Sequence, residues 1–215
     1  MKVKWLGHAA FLITSDAGTR IVTDPYGSFA GLNYKPIDMT ADIVTVSHDH
    51  GDHDNAKAVK GAKVVKGAGA HTVAGITFQG TATYHDESRG KQRGPNTIFC
   101  FTVDGVRVCH AGDLGHELAE AEVKEIGSVD VLLLPVGGFY TVDAKAASAV
   151  ADQIKPRAVV PMHVRNESCQ FPIGDVEEFL KDRENVQRAD GSEVEFKAGQ
   201  LPPAVTTVVV KPANC

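Results

Sequence analysis

Residues 47–55 read Ser-His-Asp-His-Gly-Asp-His-Asp-Asn and follow the apolar run Ala41-Asp-Ile-Val-Thr-Val46. In an extended chain, residues two apart project to the same side, so His48 and His50 present their imidazoles together while Asp49 points away. Gly51 then permits a sharp turn. That turn brings Asp52 and His53 toward the same point, giving four converging nitrogen and oxygen donors within six residues, as a divalent metal requires. Buried without partners, such groups would each cost roughly a few kcal/mol, and a cation supplies the partner. The alternative is a solvated polar loop, which would reach the H-x-H-x-D-H order only by accident. Asp54 reads as the cap of a short helix over residues 52–59, a role Asp52 could also fill.

The chain around this stretch has 215 residues, enough for one domain with a substantial core and too few for two enzyme domains. We therefore expect one domain over residues 1–215. A net charge of −5 and a pI near 6.0 argue against a general nucleic-acid surface, which needs clustered Lys and Arg. No apolar run approaches the roughly 20 residues that span a bilayer, and the N-terminal MKVKWLGHAAF is too interrupted for a signal peptide. The cysteines, at 100, 109, 169 and 215, form no CxxC pair, which fits a reducing cytoplasm. Asp104-Gly105 reads as a two-residue hairpin turn that sets Cys100 opposite Cys109. A cross-strand disulfide is conceivable there, but two thiols packed as small hydrophobes is the preferred reading.

Turn signals separate short apolar or alternating stretches that we read as strands at 3–6, 10–14, 20–23, 43–47, 64–66, 76–84, 97–103 and 106–110. The glycines of 67–75 read as turn. Helical periodicity marks 117–126, 144–154 and 175–181, and apolar strands follow the first two at 129–135 and 158–161. The β-branched run in LPPAVTTVVVKP reads as a final edge strand. Strands and helices in this mixture imply layered α/β packing.

H-x-H-x-D-H after an apolar strand resembles the signature of the metallo-β-lactamase fold superfamily, and further motifs match in order: Asp24 in IVTDP, His85 in TYHDE, Asp113 in CHAGDLG and His163 in VVPMHV. WLGHAAF, HDESRGKQRGPN, HAGDLGH and LLLPVGGFYTVD are similar to the branch of small Zn-dependent hydrolases related to L-ascorbate-6-phosphate lactonase. The resemblance implies a four-layer αββα sandwich with mixed sheets. It also implies two divalent ions, Zn before Mn or Fe. One would be held by His48, His50 and His85 and the other by Asp52, His53 and His163, with Asp113 and a hydroxide between them. The chemistry implied is a metal-dependent hydrolase that uses the metal-bound hydroxide on a small ester, lactone or phosphoester, with Asp52 orienting the nucleophile. Imidazole and carboxylate donors without thiolate suit the same metals independently.

Other polar residues carry two readings each. Asp24 either hydrogen-bonds a ligating histidine or caps the turn before Pro25. His8 is either near the metals or a structural histidine, His110 and His116 either support the metals or substrate or are structural, the structural role being preferred for His116, and His71 reads as a surface residue. Arg89, Lys91 and Arg93 either clamp an anionic substrate or form a solvated loop offset by Asp86 and Glu87. Tyr140 and Thr141 are candidates for contacting substrate, and Phe139 reads as packing. The expected partner is a small molecule, anionic on the clamp reading of the Arg89–Arg93 loop, with neither nucleic acid nor membrane; a homo-oligomer is compatible with the sequence. The competing function is a non-catalytic metal-binding or sensory protein that retains the dinuclear site.

Overall fold

The computed structural model describes residues 1–215. In chain order the elements are β1 (Lys2–Gly7), β2 (Ala10–Thr14), β3 (Arg20–Thr23), β4 (Met39–Thr40), β5 (Ile43–Val46), β6 (Val59–Lys60), β7 (Lys63–Lys66), β8 (Gly69–Val73), β9 (Ile76–Tyr84), β10 (Pro95–Val103), β11 (Val106–His110), α1 (Glu120–Ile126), β12 (Val131–Pro135), α2 (Ala144–Ile154), β13 (Ala158–Met162), α3 (Val176–Leu180), β14 (Val186–Arg188), β15 (Glu193–Glu195) and β16 (Thr206–Val209). One sheet runs β15-β1-β2-β3-β5-β7 and the other β14-β16-β13-β12-β11-β10-β9-β8. Both are mixed. Strands β15 to β3 and β8 to β11 pair antiparallel, while β3-β5-β7 and β11-β12-β13-β16-β14 pair parallel.

Strand alternation explains the layering. Val3, Trp5, Phe11, Ile13, Ile21 and Ile43 point inward and join Phe78, Phe99 and Phe101 of the second sheet in one core. Their neighbours Leu6, Ala10, Val22, Val44 and Val46 point outward into a smaller core with Tyr26, Tyr34, Ile37 and Phe171. Helices α1 and α2 cover the far side of the second sheet, and α3 packs on α2. The first sheet's outer face is covered largely by irregular chain before β4 and after β13. This is an α/β sandwich with mixed sheets, as the sequence led us to expect. No helix is long and apolar enough to cross a membrane.

Several local expectations are corrected. The helix expected over 52–59 shrinks to a single 3₁₀ turn, Ala56–Ala58, capped by no side chain. The preceding residues are committed elsewhere: His53 and Asp54 N–H both donate to His50 O, and Asn55 N–H donates to Pro25 O. Asp54 therefore caps nothing. The glycine tract contains a strand, β8, closed onto β9 by a turn at Ala74-Gly75 whose φ values are +50° and +77°. Strand β16 lies between β13 and β14, so the short, exposed β14 forms the edge instead. Helix α1 begins at Glu120 because the N–H and C=O of Leu118 are taken by the Gln153 side chain. The hairpin at Asp104-Gly105 forms in the expected register, with Cys100 opposite Cys109, and both thiols are free and buried.

The site lies where strand ends meet. His8 follows β1, Asp24 follows β3, His48 lies just past β5, His85 follows β9, Asp113 lies just past β11 and His163 follows β13. These loops are wedged together by glycines with ordinary backbone angles and no room for a side chain. A Cβ on Gly115 would overlap the peptide joining His85 to Asp86, and one on Gly137 would overlap the carbonyl of His163. We expect Gly115→Ala to lower stability by about 1–3 kcal/mol in urea unfolding because neither backbone can yield cheaply. Gly191, which faces open space, serves as the control, and its alanine variant should stay within about 0.5 kcal/mol of wild type.

Candidate metal centre

Asp24 organises the strand-end loops. It is fully buried in the left-handed region at φ +35°, where a non-glycine residue is strained. Its Oδ1 accepts the Ser47 N–H at 2.8 Å, and its Oδ2 accepts the Ser47 hydroxyl and the His53 Nδ1–H, the latter at 3.0 Å. Since the Ser47 hydroxyl donates to Asp24, its oxygen accepts from His48 Nδ1–H at 2.8 Å. Both histidines thus carry a proton on Nδ1 and turn Nε2 inward. This selects between the two readings of Asp24: it orients His53 directly and His48 through Ser47.

Asp113, only 2% exposed, sits where these imidazoles converge. Its Oδ2 lies 2.9 Å from His85 Nε2, 3.2 Å from His53 Nε2, 3.4 Å from His163 Nε2 and 3.9 Å from His48 Nε2. Its backbone is fixed by Asn96, whose Oδ1 accepts the Asp113 N–H while its amide donates to Thr83 Oγ1 and the Ala111 carbonyl. Two sets of donors flank this carboxylate: His48, His50 and His85 on one side, and Asp52, His53, His163 and also His8 on the other, with the donor atoms of each set within 4.8 Å of one another. His50 reaches the surface, and the others are buried. No cysteine joins either set.

The donors fit a metal on their own chemistry. His48 Nε2, His53 Nε2 and Asp113 Oδ1 are buried without a hydrogen-bond partner, a costly arrangement that a cation would relieve. The 3.2 Å approach of His53 Nε2 to Asp113 lacks hydrogen-bond geometry. Burial pushes the His48 imidazole down to about 3 and that of His8 down to about 4, leaving both neutral at physiological pH. Burial also opposes a charge on His53, but the Asp113 and Asp24 carboxylates outweigh it and hold this imidazole well above its usual range.

His8 is also left-handed, at φ +52°, with its carbonyl accepting from Trp5 Nε1 and His163 N–H. Its Nε2–H donates to Asp52 Oδ2 at 3.2 Å, so it lies among the candidate metal donors. His110 lies elsewhere: its Nε2–H donates to the Ala9 carbonyl and its Nδ1 accepts the Gly112 N–H, tying β2 to β11. His116 likewise fixes the backbone at Tyr84. His71 is half-buried and bonds the Gly67 carbonyl.

Above the donors opens a cleft of about 410 Å³, lined by Phe29, Asp49, His50, Gly51, Asp52, His85, Gln92, Arg93, Asp113, Tyr140, His163 and Phe171. Arg93 and Tyr140 line it; Arg89 and Thr141 do not. Arg89 is exposed at φ +59°, and the Thr141 hydroxyl donates to the Val142 carbonyl. Asp86 does not offset the loop's cations. Its buried carboxylate accepts backbone N–H groups of Ser88, Gly90, Gln92 and Arg93, which hold its pKa below the usual range against the cost of burial. Phe139, expected to pack, is 63% exposed, and its carbonyl accepts from Arg93. Sequence reasoning missed Ser47 and Asn96, although both adjoin motif residues. It also missed Gln92, Phe29 and Phe171. A larger groove, about 650 Å³, lies between β14, β15 and the turn at 200–204, but it contains no histidine or cysteine.

Comparison with known proteins agrees with the geometry. The family model described as "Beta-lactamase superfamily domain" matches residues 2–163, so the chain belongs to that superfamily. Within it, the chain is 34% identical over 210 residues to a UPF0173 metal-dependent hydrolase of Thermococcus onnurineus, covering 84% of this chain and 91% of the relative. It is 30% identical over 227 residues to one of Archaeoglobus fulgidus, covering 91% and 94%. It is therefore a member of the UPF0173 metal-dependent hydrolases. Among solved structures, a Thermotoga maritima protein described as a Zn-dependent hydrolase of the metallo-β-lactamase superfamily superposes with TM-score 0.81 at 38% identity, covering 97% of each chain. A metallo hydrolase of Ignicoccus hospitalis superposes with TM-score 0.67 at 25% identity, covering 98% of this chain and 95% of its own.

Two outcomes follow. A proton on His53 competes with a cation for Nε2, and its raised pKa keeps that proton in place to higher pH. Apparent metal affinity should therefore climb as pH rises toward that pKa, by up to about tenfold per unit for each proton displaced. Calorimetric titration in buffers of different ionisation heat would detect the released proton; buffer-independent heats would contradict the assignment. Replacing Asp24 with Asn should weaken metal binding by about 10–100-fold in chelator competition, because His53 and Ser47 lose their common acceptor.

Proposed function

We propose that this centre holds two divalent ions, zinc before manganese or iron, and hydrolyses a small ester, lactone or phosphoester. His48, His50 and His85 would hold one ion, and Asp52, His53 and His163 the other, with Asp113 shared. The observation that carries this reading is the arrangement of both donor sets around the single carboxylate of Asp113, with unpartnered atoms aimed between them. Such a pair of ions supplies an acidified water at neutral pH and an electrophile for the substrate oxygen.

The chain's own groups do the rest. Asp52 lies at the cleft floor with one oxygen engaged by His8, so its carboxylate is positioned to accept a proton from the attacking water and orient it. Arg93 offers its remaining N–H groups to an anionic part of the substrate, and Gln92 beside it offers an amide. The Asp86 carboxylate fixes both backbones before substrate arrives, which limits the ordering cost of binding.

Metal analysis followed by assay against lactones, phosphodiesters and thioesters tests the proposal. Turnover of at least one class is expected. Asp52→Asn should lower kcat by a factor on the order of 10² or more through the lost general base. Two bound ions with no turnover across the panel, and an Asp52→Ala variant altered only in metal content, would leave a non-catalytic metal protein as the better reading.

A further inference from the structure

One wall of the cleft is aromatic, and neither metal binding nor hydrolysis requires it. Phe29 and Phe171 meet edge to face with centroids 5.9 Å apart, and Phe171 meets Tyr140 in the same manner at 5.8 Å. On its inner side Phe171 stands perpendicular to His8 at 5.6 Å, so the rings run from the metal-ligating groups to the cleft mouth. Beyond Tyr140, the Arg93 guanidinium lies 5.7 Å from the ring centroid. It has no carboxylate within 4.0 Å, and its recorded hydrogen bond is to the Phe139 carbonyl.

The wall is held in place. Phe29 sits on a tight turn closed by the Leu32 N–H donating to the Phe29 carbonyl. That turn is laced to the segment carrying Phe171, since Gln170 N–H donates to Gly31 O and Asn33 N–H to Ser168 O. Gly31, at φ +91°, lies so close to the Phe171 ring that a Cβ there would overlap it. Phe171 is rooted in the outer core. Phe29 nonetheless stays 44% exposed over the cleft. A phenylalanine fixed by backbone bonds yet left open to water beside a reactive centre is matched by an apolar ligand face.

We propose that Phe29, Phe171 and Tyr140 form a subsite for a flat apolar group, and that Arg93 at its rim binds an anionic group of the same molecule. The substrate class is thus a small anionic ester, lactone or phosphoester that carries an aromatic or similarly planar body. This rests on the hydrolase reading for the reaction but is tested by binding alone.

The probes are benzylphosphonate and ethylphosphonate, equal in charge and differing in the ring. They are titrated calorimetrically into the metal-loaded protein. Benzylphosphonate should bind about tenfold tighter or better, the effect of burying a ring against aromatic partners. Phe29→Ala should collapse that ratio toward one without changing metal content, and Phe171→Leu should reduce it while preserving the apolar core beneath. Arg93→Gln should weaken both probes by a similar factor and leave their ratio intact. Equal affinities in the wild-type protein, a ratio that survives in both phenylalanine variants, or no binding of either probe overturns the subsite. Should the ring preference appear in a protein that cleaves none of the ester panel, the subsite stands and only the hydrolase reading falls.

Discussion

The constraint on which the site depends is the burial of the Asp113 carboxylate. A carboxylate taken out of water must be met by positive charge or by donors aimed at it, and here four imidazoles converge on one of its oxygens. Convergence requires each ring to have a defined tautomer and orientation. Asp24 provides this for two of them at once, through His53 Nδ1 and through Ser47 to His48. Two buried carboxylates therefore play complementary parts: Asp24 fixes the outward nitrogens, and Asp113 faces the inward ones. A cation held among the inward nitrogens would satisfy the atoms left unpartnered.

The fold meets this demand by spreading the donors over both sheets and both pairing directions. His48 and Asp24 issue from neighbouring parallel strands, β5 and β3, so their loops leave the sheet side by side. His85 comes from antiparallel β9, while Asp113 and His163 come from the parallel part of the second sheet. Strand ends alone are too coarse to hold side chains to tenths of an ångström. The closer control comes from backbone contact at Gly115 and Gly137 and from strained residues. His8, Asp24 and His163 all occupy the left-handed region, which costs each on the order of 1–3 kcal/mol and persists only where surrounding bonds impose it. The surrounding bonds are present: the His163 N–H donates to the His8 carbonyl, and the Asp24 N–H to that of Thr45.

This division explains what could be read from the sequence. The strands that lead to the candidate donors were legible because they are apolar or alternate: β5 and β13 are buried throughout, while β9 alternates buried and exposed positions. β2, β3, β9 and β11 begin and end where the pattern indicates, and the spacing of His48 through His53 carries its own chemistry. Elements without an apolar signal were missed: β8 is glycine-containing and largely exposed, β14 is fully exposed, and β15 is an exposed Glu-Val-Glu edge held by its register with β1. The helix expected after the motif failed for a tertiary reason, since the backbone of residues 53–55 is spent on closing the turn. His110 and Thr141 have the right chemistry at the right place in the chain, but each side chain is committed to a backbone carbonyl. Side-chain commitment of that kind is invisible to spacing.

The same reasoning separates the two halves of the cleft. On the metal side, donor type and order are tightly constrained, because a wrong atom leaves a buried charge unmatched. On the rim the constraint is weaker, as the differing fates of Arg89 and Arg93 show. Four residues apart in one glycine-punctuated loop, they differ in their own backbone. The Arg93 N–H donates to Asp86, while Arg89 sits between the bonded Ser88 and Gly90 on a left-handed turn that leaves it exposed. Arg93 thus lines the cleft and Arg89 does not. His85 and the carboxylate that ties down this loop are consecutive residues, so the rim of the cleft is built directly onto the candidate donor set.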